Sequence, residues 1–241
     1  MAMFAIGDTH LSLSSNKPMT VFPGWDDYVE RLEKNWRALV APEDTVVICG
    51  DISWAMSLDE ALTDFTFLHG LPGTKLLLKG NHDYWWGTRR RMDAFLAEHG
   101  LTSLKIVHND AVLVDGTLAV CGTRGWACDI EDEADRRVLA REVGRLRTSV
   151  RAAKQTGGEP IAFLHYPPIF AGQSCPELLG VLREEGVRRC YYGHVHGAGI
   201  RLAFCGEADG LSLRLVSADA LHFAPLPIRP SADAGDFTKN L

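Results

Sequence analysis

The sequence predicts one α/β domain over residues 1–224, followed by an irregular tail over 225–241. Short apolar, strand-length runs alternate along the chain with longer stretches of helical periodicity, a pattern that places strands and helices in the same layered core. At 241 residues and 46% hydrophobic content, the chain is long enough to bury one substantial core. Polar, glycine-containing turns follow several of the apolar runs, which marks one end of the strands as the place where chemistry collects.

The strand-length runs are Met3 to Ile6, Thr45 to Cys49, Lys75 to Leu78, Leu104 to Val107, Ala111 to Val114, Leu118 to Cys121, Ile161 to Leu164 and Val187 to Tyr192. Helical spacing runs from Trp25 to Val40, Leu58 to His69 and Thr88 to His99. It recurs in a long charged segment, Glu131 to Lys154, where Val138, Leu139, Val143, Leu146 and Val150 form an apolar stripe interrupted by Gly144. Beyond residue 196 the runs are closely spaced (Ile200 to Phe204, Leu211 to Val216, Ala220 to Phe223) and predict an antiparallel β section. Prolines after Pro225 and the small residues Ser231 to Gly235 predict the irregular tail.

The formal charge of −6 argues against a broad basic surface that would hold nucleic acid. No apolar run approaches the roughly 20 residues that cross a bilayer. Met1 to Asp8 is short and lacks a basic start for a signal peptide, so the expected location is the cytoplasm, away from membranes. Cys49, Cys121, Cys190 and Cys205 lie in short apolar runs and read as reduced packing residues, and Cys128 and Cys175 read as loop residues. There is no C-x-x-C spacing.

Chemistry concentrates after strands. Gly7-Asp8-Thr9-His10, Gly50-Asp51 and Gly80-Asn81-His82-Asp83 follow the first three runs, His165 follows Leu164, and Gly193-His194-Val195-His196 follows Tyr192. Gly7, Gly50, Gly80 and Gly193 are expected to permit the sharp turns such loops need. On an extended backbone, residues two apart point the same way, so Asp8 with His10, and His194 with His196, could each face one ion. Singly, each piece has an ordinary explanation: an Asp after a strand caps a helix, and a lone His packs in a core. Five of the nine histidines nevertheless fall just after strands, while His69, His99, His108 and His222 do not and read as structural.

The ordered set G-D-T-H, G-D-I-S, G-N-H-D, H-Y-P-P and G-H-V-H, spread over residues 7 to 197, resembles the calcineurin-like metallophosphoesterases. The resemblance implies a four-layer α/β/β/α sandwich of two mixed sheets. It implies that Asp8, His10 and His196 hold one divalent metal, that Asn81, His165 and His194 hold the other, and that Asp51 bridges them. Carboxylate, amide and imidazole donors without thiolate suit manganese, iron or zinc. Two such ions against two carboxylates leave about two positive charges, which draw an anionic phosphate. The implied reaction is hydrolysis of a phosphate mono- or diester by in-line attack of a metal-bridging hydroxide, with His82 protonating the leaving oxygen.

The sequence departs from the family where many relatives carry G-D-x-x-D, whose last Asp orients the acid. Trp54 stands there instead. Asp83 is the neighbour expected to take over that role. Tyr84 and Trp54 are candidate substrate contacts, with stacking faces for a base or sugar, and one of Arg89, Arg90 and Arg91 could reach a phosphate. The insertion Leu11 to Asp27 and the segment Gly122 to Asp132 are candidate pocket walls. The substrate expected is a phosphorylated small molecule or nucleotide. The protein-phosphatase branch is disfavoured because its G-D-Y-V-D-R-G is absent, whereas H-Y-P-P is similar to bacterial phosphodiesterases, including cyclic-nucleotide ones. The competing readings are a nuclease and a catalytically weak metal-binding scaffold.

Overall fold

The first half of the chain lays down one sheet in sequence order. In the computed structural model, which describes residues 1–15, 17–127, 130 and 132–229, strands β1 (Met3–Ile6), β2 (Thr45–Cys49), β3 (Thr74–Leu78) and β4 (Leu104–Ile106) pair in parallel. Helices α1 (Tyr28–Leu39), α2 (Leu58–Gly70) and α3 (Arg89–Glu98) connect them. Tyr28, Leu32 and Trp36, spaced by four, give α1 one buried stripe. Ser57 and Thr88 cap α2 and α3 by accepting the backbone N–H of Glu60 and Arg91.

The second sheet begins with an antiparallel hairpin, β5 (Ala111–Val114) and β6 (Leu118–Thr123). It continues through α4 (Glu133–Gln155), β7 (Glu159–Leu164), a small hairpin of β8 (Ile169–Phe170) and β9 (Gln173–Ser174), α5 (Pro176–Glu184) and β10 (Arg189–Tyr192). After β11 (Gly206–Ala208) and β12 (Leu211–Leu215) the spatial order is β11-β12-β10-β7-β6-β5. Finally β13 (Leu226–Ile228) returns to the first sheet, antiparallel to β1.

Strand alternation sorts the apolar residues into three layers. Phe4, Ile6, Val46 and Ile48 face α1 to α3. Met3, Ala5, Val47 and Cys49 meet Val120, Ile161, Phe163 and Tyr191 between the sheets. Ala119, Cys121, Ala162 and Leu164 face α4 and α5. Helices, sheet, sheet, helices: the four-layer sandwich is the architecture of this chain.

The C-terminal third corrects several expectations. Residues 200–204 form no strand; Gly197–Leu202 is a 3-10 helix whose Ile200 packs on the α4–α5 side, a case where a short apolar run does not distinguish strand from turn. Residues 220–223 are turns. β12 pairs with β10 in parallel, so the antiparallel pairing of this region is limited, among the described residues, to β11 with β12 and β13 with β1. The tail expected to be irregular starts with β13, whose Pro227 is tolerated because β13 is an edge strand. Cys205 is exposed, and Cys175 is buried at the start of α5. Ser231 to Gly235, Cys128 and Glu131 lie outside the described residues. Among the described residues no helix is long and apolar enough to cross a membrane.

Candidate metal centre

The parallel strands of both sheets end on the same side, and short hydrogen bonds stitch their terminal loops together. Gly7 N–H donates to Val216 O at 2.6 Å, Asp8 N–H to Gly50 O at 2.9 Å, and Gly193 N–H to His165 O at 3.1 Å. The Cys49 thiol donates to Leu164 O at 2.8 Å, tying β2 to β7 across the inter-sheet core. Loops from β1, β2, β3, β7 and β10 therefore converge on one buried spot.

Two groups of donors meet there. Asp8, His10 and His196 form one, and Asp51, His165 and His194 the other; within each group the ligating atoms lie within 4.8 Å of one another. Asn81 joins the second group through Oδ1, 2.7 Å from His165 Nε2. Asp51 Oδ2 lies 3.4 Å from His165 Nε2 and 3.8 Å from His10 Nε2, so one carboxylate oxygen faces both groups.

The spacing is informative. Donors about 2.0–2.1 Å from a tetrahedral ion stand about 3.4 Å apart. His10 Nε2 and His196 Nε2 are 3.3 Å apart, and His196 Nε2 lies 3.4 Å from Asp8 Oδ1. Mixed carboxylate and imidazole donors at such separations fit divalent cations.

Backbone conformation differs from the sequence reading. Asp8, His10, Asp51 and His194 have φ of 57°, 43°, 48° and 71°, so the loops are left-handed at these residues rather than extended. Asp8 and His10 still share one group, as expected, whereas His194 and His196 point into different groups. The glycines also act differently from expectation. Gly50 (φ 84°) does use a left-handed angle, but Gly80 is needed for close approach, because a Cβ there would overlap the amide and carboxylate of Asp51.

Neighbouring groups orient the donors. His165 Nδ1 donates to Cys49 O at 3.1 Å, leaving Nε2 free to ligate. His196 Nδ1 donates to Asp219 Oδ1 at 3.0 Å, and Gly197 N–H donates to Asp219 Oδ2 at 2.9 Å. The sequence reading missed Asp219: it lies in a turn after β12, with no motif around it. Both oxygens of Asp8 accept the His194 N–H, at 2.9 and 3.0 Å. Burial lowers His10 and His194 to about 4. Burial alone would do the same to His165 and His196, but Asp51 and Asp8 raise the first to about 9, and Asp8 and Asp219 raise the second to about 10.

His82 lies at the edge of the centre. Its backbone N–H donates to Asp51 Oδ1 at 2.7 Å, and its Nδ1 is 3.2 Å from the Tyr84 hydroxyl. Trp54 packs between His10 and His82, with ring centroids 4.9 and 4.4 Å away. The expected Asp83 support for His82 is replaced by another role. Asp83 Oδ1 accepts Ile52 N–H at 2.8 Å and the Trp85 indole at 3.1 Å, and Oδ2 accepts Gly80 N–H at 2.7 Å, so this carboxylate clamps the β2 and β3 loops together. Burial and the charge of Asp51 push it up to about 7.

Of the expected pocket walls, Trp25 is buried with its ring 5.9 Å from His10 and 5.7 Å from His196. Lys17 Nζ stands 4.7 Å over Trp54 and 5.9 Å from the exposed ring of Tyr84. Arg89 is not available to a phosphate, because it pairs with Asp93 and Asp110.

Residues 1–198 match the sequence family described as calcineurin-like phosphoesterase. No curated protein matches the chain in sequence. Solved structures share the fold at low identity. Phosphopantetheinyl hydrolase from Mycobacterium tuberculosis aligns with a TM-score of 0.54 at 14% identity, over 95% of this chain and 96% of its own. TT1561 of Thermus thermophilus aligns with a TM-score of 0.51 at 14% identity, over 80% and 81%. The protein of unknown function AQ665 from Aquifex aeolicus aligns with a TM-score of 0.50 at 17% identity, over 94% and 95%.

Proposed function

The chain belongs to the calcineurin-like phosphoesterases, and from that premise we propose that it is a two-metal hydrolase of phosphate mono- or diesters, acting on a phosphorylated small molecule or nucleotide. The observation that carries the reading is Asp51 Oδ2, set between an imidazole of each donor group. A carboxylate in that position would be available to a cation in each group. Asp8, His10 and His196 would hold one, and Asn81, His165 and His194 the other, each manganese, iron or zinc.

When bound, such ions supply Lewis acidity: they lower the pKa of water and offset charge on phosphoryl oxygens. The chain's own residues do the rest. The Asp51–His82 backbone contact holds the imidazole beside the centre, where it can give a proton to the leaving ester oxygen. Tyr84, 3.2 Å from Nδ1 of that ring, would hold Nδ1 and leave Nε2 for the substrate. Trp54 supports the ring from the side, in the place where relatives carry an aspartate. Trp54 and Tyr84, with Lys17 above them, offer flat faces and one cation to whatever the phosphate is attached to.

The deciding experiment compares wild type and Asp51→Asn, each supplied with manganese or zinc, on p-nitrophenyl phosphate and bis-p-nitrophenyl phosphate. Metal-dependent turnover of at least one ester by the wild type, and its loss in the variant, is the expected result. Turnover that survives the substitution rules out the two-metal reading.

A further inference from the structure

Beside the metal centre, but sharing none of its proposed ligands, lies a second cavity of about 70 Å³, room for a few waters or a small polyatomic anion. It opens between the ends of β3 and β6, the turn after β4, and one face of α4. Its wall carries Lys79, Arg124 and Arg145 against one carboxylate, Glu142. Three cations less one anion leave about two positive charges facing a small volume.

Glu142 cannot balance the set. Its side chain is buried, with Oε1 bonded to Arg145 Nη1 at 2.6 Å and 3.8 Å from Arg124 Nη2, and Oε2 taken by the Thr123 hydroxyl. Lys79 makes no ion pair or hydrogen bond among the described residues, and Asp83 and Glu142 act on it only through space. Two further nitrogens of lining residues, Arg124 Nε and His108 Nδ1, are buried without a hydrogen-bond partner. An unpaired lysine, two arginines sharing one carboxylate and two buried nitrogens without partners, all around one cavity, are what an anion site looks like before its ion is counted.

Position says whose anion it would be. Lys79 is two residues from Asn81, a Cα separation of at most about 7 Å. The carbonyl of Arg124 accepts the backbone N–H of His165 at 3.1 Å and of Tyr166 at 2.8 Å. The cavity is thus tied by backbone to the Asn81–His165 side of the centre, within reach of a second group on a molecule whose first phosphate sits on the metals.

We propose that the Lys79–Arg124–Arg145 cavity binds a second phosphate of the substrate, making the preferred substrates doubly phosphorylated small molecules. The proposal rests on the phosphoesterase reading, but the site can be tested apart from it. Inorganic phosphate is titrated calorimetrically into Asp51→Asn, alone and combined with Lys79→Gln, Arg145→Gln or Lys79→Arg. Binding persists in Asp51→Asn and in the Lys79→Arg combination, and it weakens about tenfold or more when either cation becomes glutamine, the scale of a lost hydrogen bond to a charge. Binding that vanishes with Asp51→Asn, or that ignores both glutamines, overturns the site.

The substrate assignment is read from the metal-loaded enzyme on adenosine 5′-monophosphate and adenosine 3′,5′-bisphosphate, which differ only by the second phosphate. Lys79→Gln and Arg145→Gln raise KM for the bisphosphate about tenfold more than for the monophosphate. Equal changes in the two KM values overturn the assignment to a substrate group. Should neither ester turn over, the phosphate titration still decides the site, and the hydrolytic reading fails separately.

Discussion

Gly80→Ala adds one methyl group, and the surroundings of Gly80 set what it costs. The new Cβ would overlap the backbone amide and the carboxylate of Asp51. Neither can swing aside, because β2 and β3 are held in register up to the Cys49–Leu78 pair, one residue before each loop. The loops must separate. Two short hydrogen bonds cross the affected region, Gly80 N–H to Asp83 Oδ2 and His82 N–H to Asp51 Oδ1, both 2.7 Å. Losing buried partners costs about 1–3 kcal/mol each, about 2–6 kcal/mol together. For a domain of this size even the lower figure lowers Tm by about 4 °C. Displacement of Asp51 by about 1 Å is enough to reduce turnover about a hundredfold.

The same substitution at Gly144 is the internal control. Gly144 lies in the middle of α4 with open space around its missing Cβ, so Gly144→Ala stabilises by about 0.8–1 kcal/mol through helix propensity. Thermal unfolding of both variants, together with hydrolysis of p-nitrophenyl phosphate by metal-loaded protein, reads the pair. A Gly80→Ala protein with wild-type Tm and turnover would falsify the close-approach argument.

Other contacts make equally specific demands. Asp219→Asn removes the carboxylate that orients His196, and metal affinity of the Asp8–His10–His196 group falls about 10- to 100-fold in calorimetric titration; wild-type affinity would show the contact to be incidental. His82→Asn lowers turnover about 10²–10⁴-fold for esters with poor leaving groups and much less for p-nitrophenyl esters, whose leaving oxygen needs little protonation; equal losses on both kinds of ester exclude a proton-donor role. Lys75 is buried, donates to Leu71 O at 2.6 Å and Gly73 O at 2.7 Å, and is lowered by burial to about 8. Because the unfolded lysine titrates near 10.4, the unfolded chain binds more protons between about pH 8 and 10.4, and this residue's contribution to stability rises with pH there. Wild-type stability minus that of Lys75→Met, measured by urea unfolding, therefore becomes more positive as pH rises over that range, and a flat difference contradicts the shift.

Local patterns in the chain carry much of this fold. Strand-length apolar runs locate every strand through Tyr192 to within a few residues except the small hairpin of β8 and β9, because most of these strands are buried on both faces and leave an unbroken apolar signal. The five polar motifs are legible because each immediately follows a strand. Where local signals are ambiguous the reading fails: Ile200 to Phe204 is apolar enough for a strand but coils into a 3-10 turn, and Leu226–Ile228 is too short and proline-marked to announce itself.

Which atoms meet is settled only by packing. Asp83 adjoins His82 in sequence, yet its carboxylate turns away to hold Ile52 and Gly80 N–H groups from two loops. Asp219, 23 residues beyond His196, supplies the orientation that adjacency could not reveal. His194 and His196, two residues apart, enter different donor groups while Asp8 and His10 share one, and Gly80 is required by the approach of Asp51 from a neighbouring strand. Lys79, Arg124, Glu142 and Arg145 look like scattered surface charges along the chain and become one cavity only when β3, β6 and α4 pack. Periodicity records how each segment divides core from solvent; long-range contacts depend on the packing of segments against one another, which no local window contains.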